Sequence, residues 1–366
     1  MQPTEQSSSA AKTVFQVIQL FFFLYLFLLS INLMGASMKL FGKGFAEAMI
    51  ANTSNPLVGL FIGILATSLV QSSSTTTSIV VGLVGGNALS VLNAIPIIMG
   101  ANMGTSVTNT LVSLANINRS DEFRRSFAAS IVHDFFNALS VLVFFPLQYF
   151  TNFLGAFALW VEQWFESAGG MTFFNPLKAA TEPAVHLFKV YLGDMPWLIL
   201  IISLVFLFLA LKQIVASLKV LVVSKAEAWF DKVLFKTQAR AFLVGLMLTT
   251  LAQSSSITTS LIVPMAGAGL LTLQQIFPYT LGANIGTTVT ALLASLVTNN
   301  VSAVVVAFAH LLFNICGIVV WWPLNRIPIA LTNKVADLAL KNKAYPLIYI
   351  GIVFFALPMI VIFVFR

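Results

Sequence analysis

Three features of the sequence predict an all-α polytopic membrane protein made of two inverted-topology repeats with re-entrant helical hairpins and broken helices. The 366-residue chain is 58% hydrophobic and 8% charged, where soluble domains carry roughly a quarter charged residues. One segment recurs at an offset of 182 positions (253 − 71 = 182). Within each copy, short polar runs interrupt flanks apolar enough for lipid.

Stretches of spanning length, about 20 apolar residues, occur near 14–34, 197–223, 302–322 and 346–364. Those near 57–70, 123–150 and 239–252 are shorter or broken by polar residues. The first stretch is too long for a signal-peptide core and no small-residue cleavage site follows it, so a retained span is expected. The single cysteine, Cys316, excludes an intrachain disulfide. The formal charge of +7 is mostly loop Lys and Arg, which reads as membrane topology rather than nucleic-acid binding. There is no clustered Cys/His metal set and no Ser-His-Asp arrangement, so neither an enzyme nor a cofactor is expected.

The repeat is ungapped over 59–114 against 241–296, with 24 of 56 positions identical. Gln71-Ser72-Ser73-Ser74 returns as Gln253-Ser254-Ser255-Ser256, and Gly100-Ala101-Asn102 as Gly282-Ala283-Asn284. Further out, His133 and Asn137 match His310 and Asn314, and GASMK at 35–39 resembles VASLK at 215–219. The expected organisation is a cytoplasmic tail (1–13), a first unit (14–150), an external linker (151–196), a second unit (197–325) and a basic loop with a last span (326–366).

Equivalent loops differ in charge. The loop 116–126 holds Arg119, Arg124 and Arg125, whereas its counterpart 298–302 holds none; 212–240 holds six Lys or Arg, whereas 39–56 holds Lys39 and Lys43. Equivalent loops on opposite sides of a membrane would show this asymmetry. Gln6–Ser9 lacks apolar flanks and is expected to be a disordered tail. Trp160, Trp164, Trp197, Trp321 and Trp322 are expected as interface anchors.

Irregular backbone survives at membrane depth only when buried in protein or lining a wet cavity. Gly weakens helices, and Ser and Asn side chains compete for backbone hydrogen bonds, so breaks are expected at Gln71–Ser74 and Gly100–Thr105 and at their copies. Paired broken helices in inverted units point to a transporter's central site. Half-helix N-termini suit an anion, and hydroxyl and amide oxygens suit hard cations. Neither core carries a Lys or Arg, so a co-bound cation is expected to supply the missing charge. The same Ser, Thr and Gly residues would also serve tight helix–helix packing.

QSSSTTTSIV (71–80), IPIIMGANMGTSVTNT (95–110), FRRSF (123–127), VHDFFNALSVLVFFPL (132–147) and QSSSITTS (253–260) resemble the type II sodium-dependent phosphate cotransporters. Without the long tails, large external loop and loop disulfide of vertebrate members, the chain looks like a compact bacterial-type member. The resemblance implies symport of inorganic phosphate with sodium by alternating access in the plasma (inner) membrane. It places phosphate at Gln71, Ser72, Ser73, Ser74, Gln253, Ser254, Ser255, Ser256, Asn102 and Asn284. It places sodium at Asp134, Asn137, Thr287, Thr290 and Thr105. The Asp of the VHD segment marks electrogenic members. Phosphate, sodium, lipid and a second copy of the chain are the expected partners. A phosphate exporter, or a carrier of another inorganic anion, remains open on the same fold.

The residues support part of this on their own. Asp134 is an ionisable group inside an apolar run, which makes it a functional candidate; pairing with Arg124 or Arg125 is the alternative. Asp134 and Asn137, three apart, are expected on one helix face. His133 and His310 are expected to be packed or capping groups rather than proton sensors.

Overall fold

The computed structural model describes residues 4–167, 170–218 and 235–365. Every regular element among them is helical. Among the described residues, six helices are long and apolar enough to cross a membrane: Phe15–Phe41, Ser120–Thr151, Pro196–Ile214, Leu273–Thr298, Val301–Trp321 and Tyr345–Phe365. The four stretches expected to span overlap these, and the end of 197–223 lies outside the described residues. The stretch 123–150 falls within Ser120–Thr151, and polar residues do not break it. Most of the basic stretch 212–240, whose charge carried the topology argument, lies outside the described residues.

The first copy runs through α1 (Thr4–Phe41), α2 (Lys43–Asn52), α3 (Pro56–Val70), α4 (Ser73–Gly85), α5 (Val91–Met103), α6 (Val107–Ser113) and α7 (Ser120–Thr151). Then come α8 (Phe153–Ser167) and α9 (Gly170–Leu192). The second copy runs through α10 (Pro196–Leu218), α11 (Gln238–Ala252), α12 (Ser255–Gly267), α13 (Leu273–Thr298) and α14 (Val301–Trp321). The chain ends in α15 (Arg326–Lys341), α16 (Tyr345–Ile350), a π-helical turn (Gly351–Ala356) and α17 (Leu357–Phe365). Two expectations change here. Residues 6–9 belong to α1, so the run expected as a tail is helical. The segment 151–196, read as a linker, is two helices, α8 packing on α14 and α9 on α1.

Each polar motif ends one helix and starts the next. Asn55 caps α3 by accepting from the Leu57 amide, and Pro56 supplies a preset φ at the first helical position. The helix ends at Gln71, and α4 starts immediately after Ser72. In the copy, α11 ends at Gln253 and α12 starts after Ser254. Both arms fall short of the roughly 20 residues that a span needs.

The second expected break is not repeated. In the first copy α5 runs through Asn102 and passes into a 3-10 turn at Gly104–Ser106 before α6. In the second, α13 continues unbroken through Gly282–Thr287. The glycines serve close packing instead. A Cβ on Gly100 would strike the Leu60 carbonyl of α3, and one on Gly63 the Ile97 carbonyl of α5. In the copy, a Cβ on Gly282 would strike the Phe242 carbonyl of α11, and one on Gly245 the Tyr279 carbonyl of α13. Small residues four apart, as in Gly100/Gly104 and Gly282/Gly286, let backbones meet. That packing holds each hairpin's first arm against the helix that follows the hairpin.

The two copies are interlocked rather than side by side. The arm α4 packs on α13 of the second copy, α12 packs on α6 and α7 of the first, and α5 packs on α14. An apolar core joining α1, α4, α9, α10, α13 and α14 surrounds this crossing.

Candidate functional site

Gln71 and Gln253 occupy the left-handed backbone region, at φ 57° and φ 53°. That region is uncommon for a residue with a Cβ, and such strain persists only where surrounding structure over-determines it. Each Gln is held the same way. Thr108 donates its hydroxyl to Gln71 Oε1 at 3.2 Å, and Thr290 donates to Gln253 Oε1 at 2.5 Å. Both threonines follow their glutamine by 37 residues. The next residues cap the second arms. Ser72 Oγ accepts from the Thr75 amide at 3.2 Å and the Thr75 hydroxyl at 2.8 Å, and Ser254 Oγ accepts from the Ile257 amide at 3.4 Å. The first-turn amides beyond these caps have no intrahelical partner.

The two turns meet. Ser256 Oγ donates across the copies to the Gln71 carbonyl at 3.4 Å. Asn109 Nδ2 donates to Thr259 Oγ1 at 2.8 Å, and Ser260 Oγ returns a bond to Asn109 Oδ1 at 2.7 Å. Between the turns lies a cavity of about 320 Å³ lined by Gln71, Ser72, Thr75, Thr108, Gln253, Ser254, Ser256 and Lys212, among others. Of the residues expected at phosphate, Gln71, Ser72, Gln253, Ser254 and Ser256 line it. Ser73, Ser74 and Ser255 do not; they are buried in the first turns of α4 and α12, where their carbonyls accept from Thr77, Thr258 and Thr259.

Asn102 and Asn284 are also away from the cavity. They form a buried crossed network with the opposite copy. Asn284 Nδ2 donates to Asn137 Oδ1 at 2.9 Å, and Asn102 Nδ2 donates to Asn314 Oδ1 at 3.1 Å. His133 Nε2 donates to Asn284 Oδ1 at 2.5 Å, and His310 Nε2 donates to Asn102 Oδ1 at 2.9 Å. Asn137 Nδ2 donates to the Asn102 carbonyl at 3.0 Å. That last bond fixes the other orientations. A carbonyl can only accept, so Asn137 Oδ1 must accept from Asn284, and Asn284 Oδ1 from His133 Nε2–H. His133 Nδ1 is then the acceptor for the Ser106 hydroxyl at 2.9 Å. Both histidines are packed groups inside this network.

The expected sodium ligands are spread over several surroundings. Asn137 sits in the crossed network. Asp134, 4% exposed, turns away from it and accepts from the Tyr349 hydroxyl at 3.0 Å through Oδ2. Its other oxygen, Oδ1, has no hydrogen-bond partner. So Asp134 and Asn137, three apart on one helix, are bonded to different partners. The pairing of Asp134 with arginine is also absent. Arg124 bonds Asp337 at 2.5 Å and holds its carboxyl below the usual range, while Arg125 donates twice to the Gly267 carbonyl at 3.0 and 2.6 Å. Thr287 Oγ1 bonds the Ala283 carbonyl of its own helix at 3.1 Å, Thr290 holds Gln253, and Thr105 is buried in the 3-10 turn. Among the tryptophans, Trp160, Trp164 and Trp197 are exposed as interface anchors would be, whereas Trp321 is buried in the core.

Sequence reasoning missed Thr108, Asn109, Tyr349 and Lys212. Thr108 was legible, because it repeats as Thr290 at the same spacing. Tyr349 and Lys212 lie in helices outside the quoted motifs and carry no local signal.

The model of the Na+/Pi-cotransporter family matches residues 26–161 and 205–361. The chain is 33% identical over 445 aligned residues to sodium-dependent phosphate transport protein 2B of Pongo abelii, covering 94% of this chain and 65% of that protein. It is 32% identical to the Homo sapiens 2B protein, covering 94% and 64%, and 34% identical to the Rattus norvegicus 2A protein, covering 93% and 66%. The chain thus spans somewhat under two thirds of the length of these relatives. No solved structure matches it. With both glutamine–serine turns inside the matched segments, the chain belongs to the Na+/Pi-cotransporter family.

Proposed function

We propose that the chain is a secondary active transporter, not an enzyme, which carries inorganic phosphate with sodium by alternating access. The observation that carries the proposal is the cavity shared by the two glutamine–serine turns. Ser72 and Ser254 mark two helix N-termini that face it, and such termini attract anions. Each Gln side chain accepts a threonine hydroxyl, which turns its amide N–H groups toward donation. Gln253 spends one on the Thr250 carbonyl at 2.6 Å. An oxyanion would therefore meet hydroxyls, amides and first-turn N–H groups from both copies at once. The relatives named as sodium-dependent phosphate transport proteins support phosphate as the anion and sodium as the coupling ion.

Sodium binding by Asp134, Asn137, Thr105, Thr287 and Thr290 belongs to the same proposal. It requires exchange, since Asn137 and Thr290 are already hydrogen-bonded to Asn284 and Gln253. The two copies would run in opposite senses through a plasma (inner) membrane, with homodimer formation as a separate part of the reading. The test is labelled phosphate uptake into proteoliposomes, with an inward sodium gradient against an equal potassium gradient. Accumulation above equilibrium with sodium alone is expected. Equal fluxes in both gradients would overturn the coupling and favour the exporter or another anion, which arsenate and sulfate competition then separates.

A further inference from the structure

Among the described residues lining the shared cavity, Lys212 is the charged one. It lies on α10, outside both glutamine–serine motifs. Phe208, Leu211 and Lys212 line the cavity together; spacings of three and four place them on one helical face. Leu207, Ala210, Leu211 and Ile214 of the same helix are buried in the main apolar core, so the helix is anchored while Lys212 itself is exposed. Among the described residues no carboxylate lines this cavity, and neither ion pair uses Lys212. The repeat makes the charge asymmetric. The offset that aligns 35–39 with 215–219 (215 − 35 = 180) aligns Lys212 with Asn32, whose amide donates to Thr181 at 2.6 Å.

We propose that Lys212 is the specificity-determining cation of this site, recruiting a tetrahedral oxyanion and positioning it against the Ser72 and Ser254 helix termini. The site then has a fixed positive charge of its own, which the sequence motifs do not contain. A lysine suits the task as a compact point charge on a flexible stem. It can follow an anion from the mouth of the cavity to the turns. Two helix termini, each with about half a positive charge, and one ammonium then act on a ligand in one cavity.

This inference rests on the shared cavity being the anion site, so two readouts are needed. Sodium-driven uptake by the unmodified protein tests that reading. Equilibrium binding of inorganic phosphate to the purified full chain, with and without sodium, tests Lys212 directly. In Lys212→Gln the phosphate KM and Kd are expected to rise about tenfold, equivalent to ~1.4 kcal/mol, with a smaller effect on maximal rate. Lys212→Arg is expected to restore binding to within about threefold, since the charge is kept though its shape is not. The difference between wild type and Lys212→Gln is expected to shrink as inert salt is added, because an exposed charge is screened. A lysine that merely packs would lower the folded amount and maximal rate without this salt-dependent KM. Wild-type phosphate affinity in Lys212→Gln at low salt overturns the proposal, whatever the uptake assay shows.

Discussion

Asp134 shows how much one residue's role depends on its partners. Its place inside an apolar run was legible from sequence, and so was its absence from the second copy, where Leu311 stands instead. Its direction was not legible, because a three-residue spacing fixes a helix face but not which neighbour fills it. The C-terminal segment supplies that neighbour: Tyr349 stands two residues before a π-helical turn, a feature frequent at functional sites. A cation reaching Asp134 would find Oδ2 already bonded and Oδ1 free. If Asp134 carries the coupling charge, Asp134→Gly transports phosphate without net current, read by pairing tracer uptake with voltage clamp in oocytes. Removing the acid also strands the partly buried Tyr349 hydroxyl, at up to about 1–3 kcal/mol. Asp134→Gly combined with Tyr349→Phe recovers that stability and keeps the electroneutral behaviour. Current that persists with transport in either variant sinks the assignment.

At the level of helices, the breaks at the two glutamine–serine motifs were legible, and the second break was legible in one copy only. Gln71-Ser72 and Gln253-Ser254 disrupt helices through side chains that bond local backbone, and that competition can be read from residue type. Glycine's weakening of helices was expected to break both 100–105 and 282–287, and it does so only in the first copy, at the 3-10 turn Gly104–Ser106. In the second copy helix α13 runs straight through 282–287, because glycine's cost in a helix, about 1 kcal/mol, is outweighed by backbone contact with α11. Sequence shows a glycine but not the carbonyl that fills the space where a Cβ would be. Gly282→Ala is therefore expected to lower the stability of the solubilised protein by about 1–3 kcal/mol, the usual cost of overpacking, and to reduce phosphate uptake with it. Gly351, where an added Cβ meets nothing within 4 Å, is the control, and Gly351→Ala should melt like the parent. Equal melting of both variants in detergent would return the Gly282 region to the role of a helix break.

Across the whole molecule, the repeat announced two equal units, and boundaries drawn between them suggested neighbours. The structure instead threads each through the other: the GAN asparagine of each copy is held by the histidine and asparagine of its opposite. No pattern along the chain marks such crossing bonds, because residues more than 140 positions apart make them. Buried polar bonds between membrane helices are individually modest, averaging about 0.6 kcal/mol. A set of them can therefore hold an arrangement without preventing its exchange for another. The contacts nearest the cavity, Asn109 with Thr259 and Ser260, would separate if α6 and α12 move apart during access to alternate sides. Cysteines at Asn109 and Ser260 in a Cys316→Ser background, joined by a short thiol cross-linker, should stop sodium-driven phosphate uptake. Cleaving a reducible linker should restore it, and each single cysteine should remain active after the same treatment. Phosphate binding at equilibrium should survive the cross-link, because the cavity itself is not altered. Undiminished uptake by fully cross-linked protein would show that these two helices travel together, and the moving boundary would then have to lie elsewhere than between the two copies.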